Sequence, residues 1–353
     1  MKPRRYNGYL VCAVAYLVFI TSVWARPNEE KRKTIEKSYA VSDATEMNIS
    51  NSFGKVHVET WDKKQVTVKI DIIVNASTES RAQEFLDKIT VNINDSDPRS
   101  ELSFNTSIDG KNAGRNTSFE VNYTVSMPRN NPLDLKNSFG DVYVGPLGGS
   151  VKLDVQYGNL NTGALSGNAE VKLAFGSGFS SIESFKKGEL RLSYSKLNVS
   201  EIGVAEVNSQ FSTLEIDKAG TLELTGKYGE IEIGEIESLE ADVNFSGFEI
   251  EKVLKDIELD IDYGGHISIG LAGTVKKVDI QSSFGPLVLE IPSGMNANFE
   301  ANLSFSDLNY DESRISFSKV IKEHTSSEYV GKIGSGGEAS IIITSKYGSV
   351  RLR

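Results

Sequence analysis

The chain has 353 residues, of which 38 are Lys or Arg and 48 are Asp or Glu, so its formal net charge at pH 7 is −10. This acidic balance excludes a nucleic-acid-binding protein of the usual kind, because nucleic-acid recognition begins with a basic surface. The single cysteine, Cys12, lies in an apolar run near the N-terminus. A fold held together by disulfides is therefore excluded as well.

Residues 1–25 are predicted to be a signal peptide. A basic start at Lys2 to Arg5 precedes the apolar run Tyr9 to Val23, and Val23-Trp24-Ala25 fits a cleavage site. Cys12 follows Leu10-Val11 rather than a small residue, so lipid attachment is not expected. The apolar run is short for a membrane span, and the mature chain is expected to have no transmembrane segment. The protein is then exported to the periplasm, the cell surface or the extracellular space.

Residues 26–47 are expected to form a linker and a first strand, and residues 48–135 a β-rich capping region with one helix. The charged run from Arg26 to Lys37 favours a flexible linker. The helix is predicted over Thr78 to Ile89, with Ser77 or Thr78 as its N-cap. A cap is needed because the open edge of a solenoid recruits other chains.

Residues 136–353 carry a repeat in which an aromatic residue followed by Gly or Ser returns every 17 to 21 residues. A repeat this short cannot bury an apolar face alone, so its copies must stack on one another. The predicted fold is all-β, a β-solenoid (parallel β-helix). The aromatic residues of the series, with outlying copies at both ends, are Phe53, Phe139, Tyr157, Phe175, Tyr194, Phe211, Tyr228, Phe245, Tyr263, Phe284, Phe305 and Tyr347.

Positions four and two residues before the aromatic, and three and five after it, are mostly apolar, as in Leu153, Val155, Leu160 and Thr162. Such period-two alternation predicts a strand on each side of a corner, with Gly or Ser allowing the bend. Either one copy makes a coil, so that the rings stack in one column, or two copies do; the first is preferred. The aromatic residues are expected to be core. The last strand, Ser349 to Arg353, is expected at the far edge, where its arginines discourage pairing.

A column of acids stands five residues before the aromatic in eight consecutive copies, from Glu170 to Glu300. Their apolar neighbours point inward, so the acids should point outward and form a ladder, in which like charges repel. Either the side chains splay into solvent beside Lys152, Lys172 and Arg191, or adjacent carboxylates bind a divalent cation. The second reading predicts a calcium ladder, the only cofactor expected, at Glu206, Glu223, Glu240 and Glu258.

A catalytic site is not predicted. His57, His266 and His324 lack metal-binding spacing, and each is interpreted as a surface residue. The run Gly334-Ser335-Gly336-Gly337 lacks the Lys and the helix of a phosphate loop and is interpreted as a turn before a strand at Ser340 to Thr344.

The chain resembles the β-strand-repeat adhesin family of exported bacterial proteins, common in Bacteroidetes and related to the auto-transporter adhesin head domain known as GIN. The resemblance rests on the signal peptide, Asn51-Ser52-Phe53-Gly54, the passage Val125 to Leu135 and the terminal copy Ser345 to Leu352. It implies a β-helical fold and an envelope or extracellular location, and it supplies no catalytic residues.

The leading hypothesis is therefore an exported, non-enzymatic, adhesin-like β-solenoid with a rigid binding or structural surface at the cell envelope. Its partner would be an envelope, glycan or protein ligand, and not nucleic acid. The alternatives are a β-helix polysaccharide lyase or hydrolase and an envelope signalling accessory protein.

Overall fold

A computed structural model describes residues 29–110 and 116–353; the predicted signal peptide and Cys12 lie outside these ranges. The described chain is almost entirely β-strand, with one helix, α1 (Glu79–Leu86). The strands up to the start of the regular repeats are β1 (Glu29–Ala40), β2 (Glu46–Ser52), β3 (Val56–Trp61), β4 (Gln65–Ala76), β5 (Ile89–Asn94), β6 (Glu101–Ile108), β7 (Ser118–Pro128), β8 (Leu133–Ser138) and β9 (Val142–Val144).

The repeats themselves contain sixteen further strands. These are β10 (Val151–Gln156), β11 (Leu160–Ala174), β12 (Phe179–Ser193), β13 (Lys196–Gln210), β14 (Thr213–Lys227), β15 (Glu230–Asn244), β16 (Gly247–Asp262), β17 (Ile267–Leu271), β18 (Lys277–Ser283), β19 (Pro286–Glu290), β20 (Ala297–Ser304), β21 (Asp307–Asn309), β22 (Ile315–Lys322), β23 (Ser326–Ile333), β24 (Ala339–Lys346) and β25 (Ser349–Leu352).

The strands wind into a β-solenoid in which each aromatic repeat makes one coil. Consecutive strands β10 to β16 pair in parallel, and residue Lys196 of β13 lies opposite Thr213 of β14, one repeat further on. The prediction of one copy per coil is thus confirmed. The inward positions are buried as expected, including Leu153, Val155 and Leu160, and stacked layers of Leu, Ile and Val fill the interior.

Antiparallel strands close the N-terminal end. β7 lies parallel to β3 of the Phe53 coil, and β4 and then β1 add to it antiparallel, while β5 adds to β6. The helix packs on β1 and β4, and its N-cap is Thr78, whose hydroxyl accepts from the Arg81 amide at 3.3 Å. The predicted helix and cap are confirmed, although the helix ends at Leu86.

The expected flexible linker is wrong from Glu29 onward, because β1 begins there and pairs along its whole length with β4. Its charges belong to an edge strand, on which charged side chains discourage pairing with another molecule. Lys31 of β1 is half-buried and bonds to Glu79 of the helix.

The C-terminal strands are inserted into the solenoid rather than added to its end. β24 lies between β18 and β20, and β25 lies between β19 and β21. The expectation that the last strand forms the far edge is therefore wrong. The hairpin of β22 and β23 instead covers β20 at that end, with β23 antiparallel to it.

Candidate binding groove along an aromatic ladder

The repeated aromatic residues form one continuous ladder on the outside of the solenoid. Neighbouring rings lie 4.6–5.1 Å apart between centroids, and their planes differ by only 2–9°. The spacing is that of paired strands, so each ring marks one coil. In spatial order the aromatic ladder is Phe53, Phe139, Tyr157, Phe175, Tyr194, Phe211, Tyr228, Phe245, Tyr263, Phe284, Tyr347 and Phe305.

The predicted stacking is confirmed, but the prediction that these rings are core is wrong. Each of the twelve residues is 39–58% exposed. The cause is the backbone, because all twelve have φ between +48° and +63°, the left-handed region. This conformation turns the side chain out of the corner and lets the next residue face the interior.

Stacking offsets the cost of this backbone conformation. A left-handed residue other than Gly costs roughly 1–2 kcal/mol. An aromatic pair contributes about 0.5–1.5 kcal/mol beyond the area it buries, and every interior ring of the aromatic ladder has two such neighbours. The two terms are of similar size, so the aromatic ladder holds the corners in register at little net cost.

The residue after each ring is small because the preceding coil lies against it. A Cβ on Gly158 would come within 2.1 Å of the Gly140 carbonyl oxygen. The expected role of these glycines, a positive φ, is therefore wrong, since the positive φ belongs to the aromatic residue. Where Ser stands instead, its hydroxyl joins two coils. The Ser195 hydroxyl donates to the Ser193 carbonyl oxygen in the same coil and accepts from the Gly176 amide of the preceding coil, each at 2.9 Å.

A groove with a volume of 690 Å³ follows the aromatic ladder over six coils. Ring edges from Tyr194 to Tyr263 form one side, and small residues after the corners form its floor. Beyond the floor stand the side chains of Lys196, Thr213 and Glu230, which are register neighbours on adjacent strands. The Lys196 ammonium also lies 5.2 Å from the centre of the Phe179 ring.

The acid column is in register over most of the predicted length. Glu206, Glu223, Glu240 and Glu258 lie opposite one another on adjacent strands, and Asp279 follows. Glu300 does not continue the column, because Ile342 of the inserted β24 lies between it and Asp279.

Basic side chains neutralise the flanks of this column. Lys172 and Lys152 approach Glu170 at 2.8 and 3.4 Å, and the bond from Lys172 lowers the pKa of that carboxyl below its ordinary value. At Glu170 the attraction of the neighbouring ammonium groups, not repulsion within the column, sets the direction of this shift. Glu258 pairs with Lys277 at 2.8 Å.

Within residues 29–110 and 116–353, no three or more His, Cys, Asp or Glu side chains form a group that could hold a metal ion. Calcium bound between pairs of neighbouring glutamates stays a prediction. Nearby, burial and then the charges of Asp262 and Asp242 raise the pKa of Asp260 above its ordinary value. Negative charge is thus concentrated on this face.

The three histidines do not come together in a site. His57 stacks on Tyr143 with 4.5 Å between ring centroids, and its Nε2 lies 3.2 Å from Glu59 Oε1. His266 stands in the turn before β17, and His324 lies in the turn between β22 and β23. His266 and His324 are exposed and His57 is half-buried, in agreement with their interpretation as surface residues. The turn at Gly334 to Gly337 precedes β24, also as predicted.

The sequence model of one protein family, Toastrack DUF4097, matches residues 44–353. The chain belongs to this family. The match includes every ring of the aromatic ladder, so the ladder and its groove lie inside the Toastrack region. The resemblance to adhesins is supported, whereas the relation to the GIN domain stays a prediction. A comparison with curated proteins finds no match.

Several solved structures resemble this Toastrack chain. A candidate adhesin from Bacteroides fragilis shares 13% identity over 91% of this chain and 97% of its own, with a TM-score of 0.36. A candidate cell adhesion protein from Clostridium sporogenes shares 12% identity over 92% and 98%, with a TM-score of 0.20. A candidate lipid-binding protein from Parabacteroides distasonis shares 11% over 91% and 96%, with a TM-score of 0.24.

Among the residues that the structure describes, none of the Toastrack chain's helices has the length and apolar character to cross a membrane. The groove was not predicted from sequence. The sequence nevertheless contains a signal for it, which is the aromatic residue at every corner followed by Gly or Ser. Once the aromatic side chain points outward, the small residue after it leaves open space beside the ring.

Proposed function

We propose that the protein is an exported, non-enzymatic, adhesin-like β-solenoid that uses the groove beside its aromatic ladder as a binding surface at the cell envelope. The observation that carries this proposal is the groove itself, an exposed, straight and aromatic-edged surface that spans six coils. Monomeric proteins rarely leave large apolar patches exposed, and such patches commonly mark interaction sites.

Rigidity supports a binding role. Every coil under the groove pairs with a coil on each side, and at Gly229 the backbone lies directly against the Ser212 carbonyl of the preceding coil. A surface that is already ordered loses little conformational entropy when it binds. An extended ligand could therefore contact several coils at once without first ordering them.

The acids are distributed in a way that favours binding over hydrolysis. Polysaccharide hydrolysis needs two carboxyl groups that take different roles in one cleft. Here Glu206, Glu223 and Glu240 are exposed equivalents in a repeating column, and no feature distinguishes an acid from a base among them. The lyase or hydrolase alternative gains no observation in its favour.

The test is binding of the purified protein to arrays of glycans and of envelope and matrix proteins, with assays for product release run in parallel. Thr213→Trp fills the middle of the groove, and Thr221→Trp places the same side chain at an exposed site on the same strand outside it. Binding that is lost only in Thr213→Trp is expected. Equal binding by both variants, or release of product from any polysaccharide, would overturn the proposal.

A further inference from the structure

The groove has the geometry of a straight channel. From Tyr194 to Tyr263 the four ring-to-ring steps are 4.7–5.1 Å, with interplanar angles of 2–9°. The six coils of the groove span about 25 Å at the usual strand spacing. Cross-β fibres form the same kind of surface, since identical side chains there stack in register from strand to strand.

The available ring surface selects the shape of a ligand. Each ring face is covered by the next ring, so the wall consists of ring edges and of the hydroxyl ends of Tyr194, Tyr228 and Tyr263. Aromatic pairs favour contact between the edge of one ring and the face of another. A flat aromatic molecule that turns its face to this wall makes that contact with several rings at once.

The floor leaves the channel unobstructed along its length. Gly176, Gly178, Gly229, Gly247 and Gly265 contribute no side chain, and Ser195, Ser212 and Ser246 are small and buried. A ligand of one ring would contact only one or two coils. An elongated ligand with its long axis along the solenoid uses the repeated contacts, and the straight floor accepts it without bending.

The surrounding charge selects a cation. Residues 201–262, which hold most of the groove, contain seventeen Asp or Glu against four Lys. The columns of Glu215, Glu232 and Glu249 and of the predicted calcium ladder run parallel to the aromatic ladder on the same strands. A concentrated field of one sign raises the local concentration of the opposite charge.

We propose that the groove binds an elongated, planar aromatic cation, with its long axis along the solenoid and its face against the ring edges. The inference names the ligand chemistry of the same groove and so rests on the proposed binding function. The occupied coils are those of Tyr194 to Phe245, at the middle of the channel, and the rings from Phe211 to Phe245 lie within the acidic segment.

The test is a titration with thioflavin T, a rod-shaped benzothiazolium cation whose fluorescence rises when a site holds it flat. Saturable binding by the wild-type chain is expected, weakened by salt. Tyr228→Ala should weaken it about tenfold, since the wall loses one ring edge and its continuity. Tyr347→Ala removes a ring of the same aromatic ladder outside the groove and should leave binding unchanged.

Thr213→Trp, paired with Thr221→Trp as its control, keeps the test valid if Tyr228→Ala fails to fold, because neither variant alters the aromatic ladder. Loss of dye binding only in Thr213→Trp supports the inference. No saturable binding by the wild-type chain, or equal losses in Tyr228→Ala and Tyr347→Ala, overturns it.

Charge is tested separately with an uncharged benzothiazole analogue and with Glu230→Lys, which reverses a charge at the groove. The cation should bind more tightly than the neutral analogue, and Glu230→Lys should reduce that difference; equal affinities overturn the choice of a cation. Because the titration contains only protein and dye, dye binding without array binding contradicts the proposed function alone. Array binding without dye binding contradicts this inference alone.

Discussion

The side-chain amide of Asn51 donates to the Oδ1 atom of Asn137 at 3.0 Å in the buried interior, and so joins the first two coils of the solenoid. Asn137 in turn donates to the carbonyl oxygens of Gly54 and Gly140, at 3.0 and 2.8 Å. These are the two Asn-Ser-Phe-Gly copies of the sequence, and their asparagines satisfy corner carbonyls. The Thr106 hydroxyl donates to the Oδ1 atom of Asn51 at 3.0 Å. It also forms a hydrogen bond with the hydroxyl of Tyr123, which extends the network to that residue.

Tyr123 should make stability fall at high pH. Burial raises the pKa of its phenol from 10.0 to about 12, although its bond with Thr106 acts in the opposite direction. Between these values the native state keeps a proton that the unfolded chain loses. The contribution of Tyr123 to the free energy of unfolding is therefore intact below pH 10. It falls by about 2–3 kcal/mol as pH rises toward 12.

Urea unfolding between pH 9 and 12 measures this effect. Tyr123→Phe should remove part of the decline, whereas Tyr157→Phe, on the exposed aromatic ladder, should behave like the wild type. Burial also raises the pKa of Tyr39, with help from Asp95, so the rest of the decline should remain in Tyr123→Phe. Identical pH profiles for all three proteins would contradict the prediction.

Removing a ring of the aromatic ladder should cost less than removing a core residue two positions away. Tyr194→Ala loses two stacking contacts on the surface, about 1–3 kcal/mol in total. Leu192→Ala, which empties a fully buried site, should lower the free energy of unfolding by about 2–5 kcal/mol. Denaturant unfolding compares the two; a larger loss for Tyr194→Ala would mean that the ring is core after all.

The corner glycines should be intolerant of a methyl group where the preceding coil is close. Gly158→Ala places a Cβ 2.1 Å from the Gly140 carbonyl oxygen, and the backbone must shift, at a cost of about 3 kcal/mol. Gly265→Ala meets no atom within 4 Å and should change stability by less than about 0.5 kcal/mol. Thermal melts decide the matter, and equal melting temperatures would be inconsistent with the close packing at Gly158.

The acid column should repel itself unless calcium binds to it. Replacing Glu206, Glu223 and Glu240 by Gln removes about 1 kcal/mol of repulsion per neighbouring pair, so the variant should melt higher than the parent in chelator. The parent should gain stability as calcium is added, and the variant should not. Replacing the separate acids Glu36, Glu183 and Glu338 makes the same charge change and serves as the control. A variant that melts lower in chelator would exclude the repulsion and the calcium site together.

The strand pattern was predictable from the sequence, but the direction of the rings was not. Leu153, Val155 and Tyr157 alternate perfectly, and period-two reasoning therefore placed Tyr157 inside. A positive φ of 55° at Tyr157 breaks the alternation at the corner. Pattern analysis assigns positive φ to glycine first, and here a Gly stood beside the ring as the obvious alternative. The groove could not be predicted without this reversal.

Neighbouring coils were predictable only where they follow one another in the chain. The last copy, around Tyr347, has the same residue pattern as the internal copies, and nothing in its composition distinguishes an inserted coil from a terminal one. The charged run of β1 was wrongly predicted to be a flexible linker, because such a run is typical both of a linker and of a protected edge strand. Only the pairing of β1 with β4 separates the two.

The inserted coil has a consequence for the order of folding. From β10 to β16 each coil closes on its neighbour in the chain, so loops are short and closure is fast. β24 and β25 can occupy their places only after β20 and β21 have left a space beside β18 and β19. We expect the middle coils to gain hydrogen-exchange protection first in refolding, and the amides of β20 to gain theirs last. Since the final strands close the gap, the solenoid reaches its full set of strand pairs only when the whole chain is available to fold.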